Sequence, residues 1–172
     1  MKYIKLYEDF GDIVYDAILI GGLDYRRGDF PIDKQVEMLK KTYGANKKVK
    51  GFRYKEPTKK ILDFLKENPK RGVDIYMFSA GCGKAEDLAK SPDVDPKRIF
   101  IIEPYASSSR TKKIVENAVK AGVPAQNVYV GPSVPRGKGI VAGASNSNSS
   151  DHWGALKMYK KTSPSPEKDQ LT

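Results

Sequence analysis

One serine, one glutamate and one histidine hold the chemistry this chain can do. Around the serine, Asp74-Ile75-Tyr76-Met77-Phe78-Ser79-Ala80-Gly81-Cys82-Gly83-Lys84 passes from an apolar run into Ser-Ala-Gly-Cys-Gly and then into helix-prone residues 84–89. The pattern predicts strand, sharp turn and helix, with Ser79 at the apex. A hydroxyl held there projects from the carboxyl end of a sheet, and Gly81 lets the following helix pass close to the strand. That is the mechanical requirement of a serine nucleophile. The full pattern is Gly-x-Ser-x-Gly; residues 77–81 keep the serine and the second glycine but have Met77 where the first glycine belongs. Ser-Ala-Gly alone also fits an ordinary turn.

His152 is the chain's only histidine, and it follows a polar run, Ser145-Asn146-Ser147-Asn148-Ser149-Ser150, ahead of a short helical pattern. An imidazole in a late loop can take a proton from a serine and return it to a leaving group; a lone surface histidine needs no explanation. Glu103 ends the apolar run Ile99-Phe100-Ile101-Ile102. It suits an acid that orients a histidine, and equally a strand-end carboxylate that pairs with a lysine. Other chemistries fit less well. A phosphate-binding loop ending in Gly83-Lys84 would need a glycine at Phe78 and a hydroxyl at Ala85. Cys82 lacks the apex position, and as the sole cysteine it excludes an internal disulfide. One histidine and scattered carboxylates point to no metal, and no cofactor is implied.

The elements that must position these groups alternate along the chain. Residues 13–20 form a nearly continuous apolar strand that ends on Gly21-Gly22-Leu23. Pro31 opens a helix with Val36, Met38, Leu39 and Tyr43 inward, which Gly44 stops. Then come a strand over 49–54, a helix over 58–67 with Ile61, Leu62, Phe64 and Leu65 inward, the Ser79 unit, a strand over 98–104, a helix over about 109–121 and a strand over 127–131. This alternation predicts a doubly wound, mostly parallel sheet with helices on both faces, an α/β fold whose ligands bind at the carboxyl ends of the strands. A further short strand is expected within 132–144, and a last helix over 154–161. The domain would then span 13–161, with 1–12 an arm or edge strand and 162–172 a disordered tail.

Composition narrows the partners. At 172 residues the chain is one domain of ordinary size. It carries 31 Lys and Arg against 21 Asp and Glu, a formal charge of +10 that biases it toward anionic partners. Lys59, Lys60, Lys66, Lys112, Lys113 and Lys120 fall on helix faces, so the charge reads as solvation and no specific nucleic-acid partner is expected. Residues 1–10 lack a secretory signal and no run is long enough to span a bilayer, so a soluble cytoplasmic protein is expected.

In order, serine after a strand, acid at the end of the next strand and histidine in a late loop resemble the α/β-hydrolase family, whose triad runs Ser, Asp or Glu, His. The resemblance covers residues 17–161 and rests on arrangement. It implies a compact, lidless serine hydrolase: Ser79 the nucleophile, His152 the base, and Glu103 the acid at the family's rarer placement, because 131–144 contains no Asp or Glu. Asp151, next to His152, is the second choice. The oxyanion donors would be the N–H groups of Ala80 and Leu23, with Ile20-Gly21-Gly22-Leu23 resembling the family's His-Gly-apolar segment. Small or polymer-borne esters or amides, anionic ones favoured, are the implied substrates. Residues 1–10 also resemble the starts of some tailed-phage proteins, where a Leu-x-Glu site is cut by a capsid-maturation protease; Leu6-Tyr7-Glu8 fits. That implies a phage-encoded, virion-associated chain. The alternative is a non-catalytic binding or structural protein on the same fold.

Overall fold

A computed structural model describes residues 13–22, 31–104, 109–130 and 141–146. Five strands of three to five residues, β1 (Ala17–Ile20), β2 (Val49–Phe52), β3 (Asp74–Phe78), β4 (Ile99–Ile102) and β5 (Val128–Val130), are joined at the edge by the two-residue β6 (Ser145–Asn146). Every pairing is parallel, in the order β2-β1-β3-β4-β5-β6. The expected α/β class and parallel sheet are therefore present.

Among the described residues the α-helices are α1 (Ile32–Tyr43), α2 (Thr58–Glu67), the five-residue α3 (Ala85–Ala89) and α4 (Ser109–Lys120). The two faces of the sheet separate them. Ile18, Ile20, Ile75, Met77, Ile99, Ile101 and Val128 share a core with Ile61 of α2, Leu88 of α3 and Val115 of α4. Ala17, Leu19, Tyr76, Phe78, Phe100, Ile102 and Tyr129 face the other way, against Leu39 of α1. Alternate strand residues point to opposite faces, so strands covered on both sides must be apolar throughout, as Ala-Ile-Leu-Ile and Ile-Phe-Ile-Ile are.

The path explains the order. From β1 the chain crosses by α1 to β2 on one side, then returns over the opposite face by α2 to β3 on the other. Right-handed crossovers in opposite directions place their helices on opposite faces, and this opens a crevice at the carboxyl ends of β1 and β3.

One expectation needs correction. The first strand starts at Ala17 instead of Ile13, leaving Ile13 56% and Val14 41% exposed. The ladder to β2 and β3 begins only at Ala17, and Asp16 turns its carboxylate to the Lys70 ammonium at 2.7 Å and the Lys48 N–H at 2.9 Å. The short strand expected within 132–144 falls mostly on residues outside the described ones; of that stretch 141–144 form a turn, and the edge strand among the described residues is Ser145–Asn146, in the serine-asparagine run. An edge strand pairs by backbone and needs no apolar side chain; Ser145 Oγ adds a hydrogen bond to the Gln126 carbonyl at 2.8 Å. The arm 1–12, the helix expected over 154–161 and the tail lie outside the described residues. No helix among the described residues is long and apolar enough to cross a membrane.

Candidate active site

β3 ends at Phe78, and the chain turns directly into a 3-10 helix over Ser79–Lys84 that leads into α3. Ser79 sits at the apex with φ +52°, in the left-handed region, and is 7% exposed. Holding a non-glycine residue there costs on the order of 1–2 kcal/mol, which the surrounding structure must offset. Among the described residues only one other non-glycine has a positive φ, Glu103 at +50°. It follows β4 as Ser79 follows β3, and because Phe78 pairs with Ile102, the two stand side by side at the carboxyl edge of neighbouring strands. Glu103 is fully buried, and its N–H donates to the Tyr129 carbonyl at 2.8 Å.

Glycines set how closely the segments approach. A Cβ on Gly81 would lie 2.3 Å from the Ile20 carbonyl oxygen and 2.7 Å from that of Gly21, so the turn after Ser79 runs against the backbone at the end of β1. A Cβ on Gly22 would lie 2.9 Å from Ser79 Cβ. The Gly21-Gly22 segment is therefore in contact with the serine. The N–H of Ala80 stands in the first turn of the 3-10 helix, where backbone donors have no partner along the helix itself.

Gln35 is a site residue that the sequence pattern alone does not single out. Its side chain is 1% exposed, and its Oε1 accepts the Gly22 N–H at 2.9 Å, while Gly21 N–H extends the ladder to the Phe52 carbonyl at 2.9 Å. Together these bonds fix the loop that touches Ser79. A polar residue on the apolar stripe Ile32, Val36, Leu39, Tyr43 was the available signal, since Gln35 lies three residues after Ile32 and four before Leu39.

Met77 fits without the expected glycine. Its side chain is fully buried on the face covered by α2, α3 and α4, where the nearby core positions Cys82, Ala85 and Ala89 are small. The tight approach falls at Gly81 instead. Cys82 lies beneath the turn with Sγ 3.5 Å from the Met77 carbonyl and 3.6 Å from that of Ile102. Burial pushes its thiol well above the usual range, and the charge of Glu103 adds to the effect. A thiol so held is no nucleophile.

The structure thus brings Ser79, Ala80, Gly22 and Glu103 to one end of the sheet. Leu23, Asp151 and His152 lie outside the described residues. At the opposite end of the strands a groove of about 290 Å³ is lined by Lys70, Arg71, Asp93, Asp95 and Arg98 among others. Three of its charged groups are paired, Arg98 with Asp74 at 3.0 Å, Lys70 with Asp16 and Asp93 with Lys66, and it holds none of the candidate residues. No cluster of metal-ligating side chains occurs among the described residues. Comparison with protein-family profiles, with curated proteins and with solved structures finds no match for this chain.

Proposed function

We propose that the chain is a serine hydrolase of the α/β-hydrolase type, cleaving ester bonds through Ser79, His152 and Glu103. The observation that supports it most is the left-handed Ser79 at the carboxyl end of β3, on the crevice side of the sheet and in contact with the glycine loop after β1. In this reading His152 takes the proton from Ser79 Oγ as it attacks the acyl carbon, and gives it to the departing alcohol. Glu103 holds the imidazolium. The N–H groups of Ala80 and Leu23 receive the oxyanion, the second of them next in the chain to Gly22, whose own N–H Gln35 ties down. Water then repeats the sequence on the acyl-enzyme. An anionic substrate is favoured by the net charge.

Labelling with a fluorophosphonate probe tests the proposal. The parent chain should label, and Ser79→Ala and His152→Ala should not. Glu103→Gln should label far more slowly, whereas Asp151→Asn should stay near the parent; the reverse pattern would move the acid to Asp151. Labelling that survives Ser79→Ala places the nucleophile elsewhere. A parent that neither labels nor hydrolyses p-nitrophenyl esters would turn the assignment to a non-catalytic protein of the same fold.

A further inference from the structure

We propose that the β2 edge of the sheet binds nucleic acid through its phosphodiester backbone, without reading sequence. The charge of the chain is not evenly spread: residues 46–60 hold seven Lys and Arg against a single Glu, so six of the ten net positive charges fall within fifteen residues. The fold gathers that run on one border. Lys47 and Lys48 precede β2, Lys50 lies on it, Arg53 and Lys55 follow it, and Lys59 and Lys60 open α2, while β2 itself is the terminal strand of the sheet among the described residues.

The individual partners separate structural from available charge. Lys59 pairs with Asp63 and Lys60 with Glu56, each at 2.6 Å. The ammonium groups of Lys48, Lys50 and Lys55 make no ion pair among the described residues. Lys50 Nζ lies 6.0 Å from the Phe52 ring centre and Lys55 Nζ 5.6 Å from that of Tyr54. A lysine on an edge strand also blocks pairing with another sheet. That purpose accounts for Lys50, but not for cations continuing through the loops at both ends.

A phosphodiester chain matches this surface best. Lys48 and Lys50 are two residues apart on an extended backbone, about 6.6 Å, a row suited to a uniformly charged polymer. The half-exposed Tyr54 beside Lys55 offers a ring for base stacking. An anionic membrane would call for an apolar wedge, and the exposed large hydrophobics among the described residues, Ile13 and Val14, lie outside the basic run. The dispersed lysines of α4 play no part. Binding here is independent of hydrolysis, so Ser79→Ala protein should bind as the parent does, and failure of one proposal leaves the other standing.

Fluorescence anisotropy of the full chain with a labelled oligothymidylate of about 20 nucleotides provides the test. With about four phosphates neutralised, log K should fall against log salt with a slope of about −3, or about 50-fold between roughly 50 and 200 mM. The combined Lys48→Gln, Lys50→Gln, Lys55→Gln variant should bring the slope to about −1 and weaken binding at least about tenfold at the lower salt. These side chains lie on the border of the fold, and Lys112→Gln with Lys113→Gln on α4 should leave the slope within about one unit of the parent. The proposal is overturned if the β2 variant binds as the parent does, or if the α4 variant loses as much. It is overturned too if poly-glutamate or anionic lipid vesicles bind as tightly as the oligonucleotide and lose binding in the same variant.

Discussion

Replacing Gly81 by alanine asks whether the turn after Ser79 is held against β1. The added Cβ would meet two backbone oxygens, Ile20 at 2.3 Å and Gly21 at 2.7 Å, where side-chain carbons essentially never come within 3.0 Å. Neither oxygen belongs to a flexible side chain that could swing away. Restoring contact requires the turn and the end of β1 to separate by roughly 1 Å, with an overpacking cost of about 1–3 kcal/mol. The same movement pulls on the Gly22 N–H bond to Gln35, worth about 1 kcal/mol. We expect a net loss of about 3 kcal/mol, a large part of the 5–15 kcal/mol typical of a domain. With a urea m-value of about 2 kcal/mol/M, the unfolding midpoint should fall by about 1.5 M. Gly83 is the internal control, two residues on in the same 3-10 helix, where a Cβ would find nothing within 4 Å. Gly83→Ala should be neutral or stabilising by about 0.5 kcal/mol through the unfolded chain. Equal midpoints for the two variants would refute the close approach, and with it the placement of Ser79 against the Gly21-Gly22 loop.

Three further outcomes follow from the same geometry. Ser79→Gly removes the left-handed strain and should raise stability by about 1 kcal/mol, a shift of a few degrees in Tm, while Ser79→Ala keeps the strain and should not. Gln35→Met leaves the buried Gly22 N–H without its acceptor; stability should drop by about 1–3 kcal/mol, and the Gly22 amide should lose protection in hydrogen exchange. The bond from Lys70, then that from the Lys48 N–H, lowers the Asp16 carboxyl below its usual pKa, so its stabilisation is present above the unfolded value of about 4 and lost as pH falls through the folded one. Asp16→Asn should therefore cost about 0.5–1 kcal/mol at neutral pH and flatten the acid limb of the urea midpoint plotted against pH.

The periodicity of the chain is enough for class and element type because most elements obey one dominant rule. Strands buried on both faces need unbroken apolar runs, and α2 and α4 carry plain stripes bounded by proline or glycine, so their ends fall within a residue of expectation. The short β6 escapes because an edge pair is made by backbone groups that leave no mark on side-chain pattern. β1 is shorter than its apolar run because Ile13 and Val14, though apolar, stand exposed ahead of the ladder that begins at Ala17. At the site, Ser79 and Gly81 are legible from the turn chemistry. Gln35 is not, since its value depends on which loop lies above α1, and that is set by the crossing from β1 to β2. The basic run 46–60 is visible in the sequence, but its place on a sheet border is not, because that depends on β2 ending the strand order among the described residues.

The sequestered Cys82 has a practical consequence. It is the only thiol in the chain, fully buried and held protonated beneath the Ser79 turn, so thiol reagents added to the folded protein should find nothing to modify. A cysteine introduced on the surface would then be uniquely addressable. Gly83, exposed and beside the turn, is a natural seat for such a reporter. A fluorophore or spin label there would register events at the crevice, and one at Lys55 would register events at the basic border, each without background from the parent chain.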